Sequence, residues 1–464
     1  MRHAALQVTY SPSARGRAKR NLSMRARART ALLSLIAACL FAMPSTAADQ
    51  KLIDQMKIAD PEAGPVQLRP KFLTDGSYDT ADPSAPIQVQ LPDGQQVWMI
   101  IFSGGTVIYA NSLEEFLRGG AHALHDIDFL YPDGTKVTTK PYRIKAAPWD
   151  PDLAFFRSDA GRRMVGYAGM MEKCKEGVEP VRAKDNWTRN RHAFDVQLWR
   201  DSVTSKVHQL WKDLGSVQGY RPCEHSEDPW LGAAHAHGYG SHYIEDSSGR
   251  PFLFFDEVTE QKLLNGAPVP YRTEILVRQL DSSRTRAIGP KRFALRVTRP
   301  DDPNRPFKAA RRSIGGLLIE GPHLIDVAID GVDYYLMFFS AGDAFTDQYG
   351  SHYAYRLKSE GLDGPFTPAV DDDGELINIT GSLSERIDAT WGIGRPNPFR
   401  DQQGNLWIAG HVILKQDIPD DEIKSGWPPT YEQLVKRARR SLVIPLATEL
   451  REGRPLVKTI EAAP

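Results

Sequence analysis

Three observations predict an all-β chain folded as a five-bladed β-propeller. One hairpin unit recurs five times. Gly (37) and Pro (33) make a turn-rich composition over 464 residues, which favours short strands over long helices. Helical periodicity is scarce. Each unit is an apolar segment, a tight Asp/Gly turn and a second apolar segment, the pattern of a β-hairpin. Single hairpins cannot bury both faces, whereas five packed radially can. A β-sandwich is the competing architecture, but it does not require the same unit five times.

Taken in order, the chain opens on a stretch that is not fold. Arg2 to Arg29 is basic and lacks acidic residues, Ala31 to Met43 is apolar, and Ser45-Thr46-Ala47-Ala48 offers small residues for cleavage. This predicts a secretory signal peptide over 1–48, with Met24 as an alternative start, and a single propeller over 49–464. The apolar run is too short to span a bilayer. Ile36-Ala37-Ala38-Cys39 also has the look of a lipoprotein box, although Leu40 and Phe41 continue the apolar run. The expected location is therefore secreted or periplasmic, with no membrane span. Export permits a disulfide between Cys174 and Cys223; two free thiols is the other reading.

The five units follow. Leu91-Pro92-Asp93-Gly94 precedes Val97 to Gly104, and Arg157 to Gly161 precedes Met164 to Gly169. Glu245 to Gly249 precedes Phe252 to Phe255, Ile329-Asp330-Gly331 precedes Tyr334 to Ser340, and Arg400 to Gly404 precedes Leu406 to His411. Further strands are expected at Val107–Ala110, His192–Trp199, Thr273–Val277 and His352–Arg356. Asn111 to Leu117 carries a helix N-cap signal, and Tyr431 to Arg437 is amphipathic and short. Lys plus Arg equals Asp plus Glu at 58 each, so no basic excess points to nucleic acid. Neither a P-loop nor a Gly-x-Ser-x-Gly elbow is present, and no cofactor is expected.

In a propeller, residues leading into each innermost strand line the central funnel, so those positions hold the candidates. Glu320 ends an apolar run and meets Gly321-Pro322-His323. That puts a half-buried carboxylate at a strand end, on backbone stiffened by Pro322 and beside the imidazole of His323. Asp82-Pro83-Ser84 leads into the first unit, with Asp79 close by. Pro148-Trp149-Asp150-Pro151-Asp152 opens the second unit, Gly238-Tyr239-Gly240-Ser241-His242 the third, and Trp391-Gly392-Ile393-Gly394-Arg395 the fifth. His235-Ala236-His237 with His242 raises a zinc question, but spacing fixes no third ligand, and no metal is expected.

The segment Glu320 to His323 resembles the Glu-Gly-Pro-His step of five-bladed family-43-type glycoside hydrolases (arabinanases, xylosidases and arabinofuranosidases). Gly364-Pro365-Phe366 resembles their blade-closing tail. The resemblance implies Glu320 as general acid, Asp82 as base with Asp79 as the alternative, and Trp149 in a sugar subsite, acting on a furanoside- or pentose-containing glycan, most simply with inversion. It has two departures. The family's third-repeat Asp is replaced by Gly240, so Asp152 or Asp150 takes that role or the chemistry differs. The family's axial His is replaced by Arg395, which would repel a central cation and pair with a carboxylate instead. His242, His323, Asp150 and Arg395 are read with Trp149 as substrate-binding. The alternatives are a non-catalytic carbohydrate-binding propeller and a fructosyltransferase-like transglycosylase.

Overall fold

The computed structural model describes residues 66, 68–74, 82–91, 94–103, 107–119, 122–124, 128–130, 149–155, 164–173, 187–200, 207–218, 240–264, 267–297, 318–342, 349–418 and 439–460; in some of these, β7 below among them, only the backbone is described. The proposed signal peptide, Cys39, Asp79, Cys174, Cys223, His235, His237 and the amphipathic Tyr431–Arg437 stretch lie outside them.

After β1 (Lys71–Phe72), the first antiparallel sheet runs β2 (Ile87–Gln90), β3 (Gln96–Ile101), β4 (Val107–Ala110) and β5 (His122–Leu124). Between β4 and β5 lies helix α1 (Leu113–Arg118), capped by the Ser112 hydroxyl accepting from the Glu115 N–H while Glu115 reaches back to the Asn111 N–H, a reciprocal arrangement that satisfies two amide donors at the helix start. β6 (Asp128–Leu130) adds parallel to the outer edge of the second sheet, β7 (Trp149–Phe155), β8 (Met164–Lys173), β9 (Trp187–Arg200) and β10 (Val207–Ser216). The third sheet is β11 (Ser241–Glu245), β12 (Pro251–Leu264), β13 (Ala267–Leu280) and β14 (Ala287–Leu295); the fourth is β15 (Ile319–Ile329), β16 (Val332–Ala341), β17 (Gly350–Leu357) and β18 (Thr367–Pro368). Helix α2 (Gly381–Arg386) precedes the fifth sheet, β19 (Ala389–Arg400), β20 (Leu406–Leu414), β21 (Arg440–Arg451) and β22 (Arg454–Thr459). β1 returns to pair with β21, Lys71 opposite Val443 and Phe72 opposite Leu442. The N-terminal strand thus completes the last blade.

The five predicted hairpins are the first two strands of the five blades, β2–β3, β7–β8, β11–β12, β15–β16 and β19–β20. One turn device recurs among them. Asp246 and Asp401 each accept from backbone N–H groups two and four residues on, and a Gly three residues on donates back to the Asp carbonyl. An Asp side chain that closes its own turn fixes the register of the strands it joins.

The order of the apolar residues explains the radial packing. In β16, Tyr334, Leu336 and Phe338 pack towards the fifth blade, while Tyr335, Met337 and Phe339 pack towards the third. Alternation on a strand buried on both faces yields the unbroken apolar run seen in the sequence. β20 divides in the same way, Ile408 towards the fourth blade and Trp407 towards the first. Cores also join the first blade to the second and the second to the third, so the ring of blades closes. A sandwich would bury one face of such strands. Truncating a fully buried anchor such as Trp407 would cost about 3–5 kcal/mol. No helix among the described residues is long and apolar enough to cross a membrane.

Candidate active site

Glu320 lies near the start of β15, half-buried. The strand cannot continue regularly past it: Gly321 has φ +64 and the β15–β16 register slips between Glu320 and His323. This bulge re-aims the Glu320 side chain. Tyr349 completes its setting, its hydroxyl donating to Glu320 Oε1 at 2.7 Å. Burial and the neighbouring Glu320 push the Tyr349 phenol well above its ordinary range, so it stays a donor. The ring fits because position 394 is glycine; a Cβ there would lie 1.8 Å from Tyr349 Cε1.

Asp82 approaches from the lead-in to the first blade. Its backbone is left-handed, φ +49, a conformation that costs a non-glycine residue about 1–3 kcal/mol and persists where surroundings enforce it. Here the Asp82 N–H donates to His411 Nδ1 at 2.8 Å, and Asn397 Nδ2 donates to the Pro83 carbonyl. Around the carboxylate stand His411 Nδ1 at 3.3 Å, Arg395 Nε at 3.7 Å and Arg439 Nη1 at 3.8 Å. Burial would lift the Asp82 pKa, but His411, Arg395, Arg439 and the Ser103 hydroxyl together hold it at about 2. Desolvation dominates for His411 and drops it to about 3, against the pull of Asp82. A His411 whose Nδ1 accepts the Asp82 N–H is neutral with its proton on Nε2. Above about pH 3, where His411 is neutral, the two guanidinium groups and the Ser103 hydroxyl therefore hold the Asp82 carboxylate ionised, and the imidazole adds its charge only below that.

Arg395 joins the halves of the site. It stands on β19 with φ +55 and 2% exposure, and its N–H donates to Ser340 Oγ at 2.7 Å. Its guanidinium reaches from Asp82 to the main chain beside Glu320: a Cβ on Gly321 would lie 1.8 Å from Arg395 Nη1, and one on Gly240 2.8 Å from it. The expected pairing of Arg395 with a carboxylate is met by Asp82. A second link runs through rings. Tyr349 stacks on His411 at 6.3 Å and 10°, Trp391 meets both edge-on at 5.7 Å, and Arg439 lies 4.7 Å over the Trp391 ring.

His242 and His323 form a pair, Nδ1 to Nδ1 at 3.3 Å. Burial, then His242 and Arg395, push the His323 imidazole well below its ordinary range, so it is neutral. His323 and Arg395 are both about 2% exposed and turned to protein groups. Trp149, Asp150 and Asp152 lie on β7, Trp149 opposite Gly169 and Asp152 opposite Tyr167, and their side chains are outside the description. Among the described residues, no three His, Cys, Asp or Glu side chains are placed to hold a metal ion.

The chain is similar to several solved structures. They include an exo-1,5-α-L-arabinanase from a bovine ruminal metagenomic library, 14% identical, covering 82% of this chain and 99% of its own, with a TM-score of 0.45. Another is a thermostable family-43 glycoside hydrolase, 13% identical over 84% of this chain and 98% of its own, TM-score 0.47. A third is the xylan β-1,4-xylosidase of Bacillus halodurans C-125, 14% identical over 85% of this chain and 56% of its own, TM-score 0.46. No family model matches the chain, and no curated protein does.

Sequence reasoning missed several residues that the fold brings to the centre: Tyr349, Arg439, Asn397, Asp256 and Arg191, and it left His411 as a strand end. One signal for Tyr349 exists. The pentapeptide Tyr-Gly-Ser-His-Tyr occurs twice, at 239–243 and 349–353. Asp256 and Arg191 sit mid-strand and carry no local signal at all.

Proposed function

We propose that the chain is an exported glycoside hydrolase that acts by general acid/base catalysis with inversion on a furanoside- or pentose-containing glycan. The single observation behind this reading is that one guanidinium, Arg395, reaches from the carboxylate of Asp82 to the main chain at Gly321, next to Glu320, although Asp82 and Glu320 are 238 residues apart by their numbers. They are also joined through Tyr349 and His411. Hydrolysis with inversion asks for two carboxyl groups with different tasks. Asp82, held ionised, suits the base that orients and deprotonates water. Glu320, held by a neutral phenol, suits the acid that protonates the leaving oxygen. The Trp149 segment at the opening of the second blade suits a sugar-stacking wall. The basic leader and apolar run at 1–48 support export, which N-terminal sequencing of the mature protein tests.

The decisive experiment is Glu320→Gln on a panel of aryl furanosides and pentopyranosides. Loss of turnover by about 10³-fold or more, with the thermal transition unchanged, is expected from removal of a catalytic acid. Unchanged turnover ends the reading. One observation favours a second reading, a carbohydrate-binding propeller without turnover. Position 240 cannot carry the Asp that the resemblance implies, since a Cβ there would lie 2.5 Å from Gly321 Cα. Calorimetric binding of an oligosaccharide that the protein never cleaves would support that one.

A further inference from the structure

The carboxylate of Asp256 is the most deeply buried acid at the centre, with no exposure at all. It stands on β12 opposite the lead-in to β11. Its Oδ1 accepts from the Gly240 N–H at 2.9 Å and from Arg191 Nη2 at 3.1 Å, and its Oδ2 accepts from the Gly321 N–H at 3.0 Å. Arg191 also donates through Nε to the Gly240 carbonyl at 3.2 Å and lies 4.7 Å over the Phe255 ring. Three blades therefore meet at one ion pair: Arg191 from the second, Gly240 and Asp256 from the third, Gly321 from the fourth.

A buried ion pair is a poor way to gain stability, because desolvation offsets its attraction and an apolar pair often does as well. This one satisfies particular backbone groups instead. The Gly321 N–H belongs to the peptide whose carbonyl is that of Glu320, at the point where the strand bulges. Asp256 Oδ2 fixes that peptide from one side, and the Arg395 guanidinium beside the Gly321 Cα restricts it from the other. With the peptide plane set, the Glu320 side chain leaves the backbone in one direction, and the Tyr349 hydroxyl receives it at 2.7 Å.

We infer that Asp256, with Arg191, is a positioning residue for Glu320: it orients the 320–321 peptide, and through it the carboxyl group, from the second strand of the third blade. This rests on Glu320 as the acid for its kinetic expression. It also accounts for Gly240. The main chain at 240 packs against Gly321 so closely that a side chain there is excluded, and the carboxylate arrives from the neighbouring strand.

The test is Asp256→Asn in the full mature chain, which keeps the volume and leaves one oxygen for three donors, the Gly240 and Gly321 N–H groups and Arg191 Nη2. With the aryl glycoside that the wild type cleaves, kcat should fall about 30- to 300-fold, as expected when a catalytic group is misplaced by about an ångström. KM should stay within about threefold, since misorientation of the acid acts on the reaction step rather than on ground-state binding. A purely structural role would lower the melting temperature and leave kcat per folded molecule unchanged, and a kcat within twofold of wild type overturns the inference. If D256N does not fold, Arg191→Lys keeps the cation and loses the fork to Gly240; a kcat loss of about fivefold at constant KM is then expected from the loosened clamp, and none overturns the inference. If the wild type cleaves no glycoside, the hydrolase reading falls by itself. Crystal structures of wild type and D256N then decide the positioning claim: the Glu320 carboxyl should leave Tyr349 in the variant, and an unmoved Glu320 overturns it.

Discussion

Asp82 leads into the first blade and Glu320 opens the fourth, so the fifth blade lies between them and supplies groups to both. The two carboxyl groups are nevertheless held by different means. Asp82 is a loop residue in left-handed backbone, ringed by Arg395, Arg439 and His411. Glu320 is a strand residue beside a bulge, with a phenol on Oε1 and a buried latch on the next peptide. Charge fixes the first and shape fixes the second. A carboxylate fixed by charge cannot be removed without leaving cations stranded, whereas one fixed by shape can be neutralised with little structural cost.

The largest expected effect separates the two on that ground. Asp82→Asn should abolish turnover, as Glu320→Gln does, but it should also destabilise the protein by about 3–5 kcal/mol, because buried guanidinium groups lose their counter-ion. Glu320→Gln keeps volume and a hydrogen-bond acceptor for Tyr349, and its melting temperature should stay near wild type. Parallel denaturation of the two variants reads the difference, and equal stability would remove the distinction drawn between them.

The same distinction explains what was legible in the sequence. Glu320 and Asp82 stand beside Gly-Pro and Pro-Ser steps, at turns whose chemistry is local, and both could be read. The five hairpins were legible because Asp-Gly turns and two-faced apolar strands are local patterns too. Tyr349, His411 and Arg439 act because strands from two blades converge, and such convergence is encoded in register and packing rather than in neighbours along the chain. Gly240 was legible as a departure from the resembling pattern, but not its cause, which is the approach of Gly321 and Arg395 from other blades. Asp256 was illegible for the same reason: an acid that ends the apolar run Phe252 to Phe255 and is followed by Glu257 reads as solvent-facing until the third dimension closes over it.

A buried cation away from the centre sharpens the comparison. Lys71, on the strand that completes the fifth blade, is 6% exposed, and its Nζ donates to the Leu117 carbonyl at 2.6 Å rather than to a carboxylate. Burial, with Arg69 and Arg118 adding repulsion, lowers its pKa from 10.5 to about 8. The folded state then binds fewer protons than the unfolded chain between about pH 8 and 10.5, so stability should rise with pH across that window. Since each tenfold change in proton affinity is about 1.4 kcal/mol, the rise is at most about 3.5 kcal/mol. Lys71→Met should flatten this slope in urea titrations between pH 7 and 10.5. A Lys71→Met slope equal to that of the wild type would show that the ammonium is not held at this cost.

The smallest effect tests how charge holds Asp82 without destroying the arrangement. Arg439 contributes one of the two cations, at 3.8 Å, while it also covers the Trp391 ring. Arg439→Gln removes the charge and keeps much of the stem and its hydrogen bonding. With Asp82 at about 2 in the wild type, the base is ionised throughout the range above pH 3, so its protonation should leave kcat/KM level between pH 3 and 5. Losing one cation raises the Asp82 pKa towards the ordinary carboxylate value, and the acid limb of kcat/KM should move up by about one pH unit, to a proton concentration about tenfold lower. At pH 7 the variant should match wild type, because Asp82 is ionised in both. A loss of activity at pH 7 with an unmoved acid limb would instead assign Arg439 to packing on the Trp391 ring and leave Arg395 as the cation that holds Asp82.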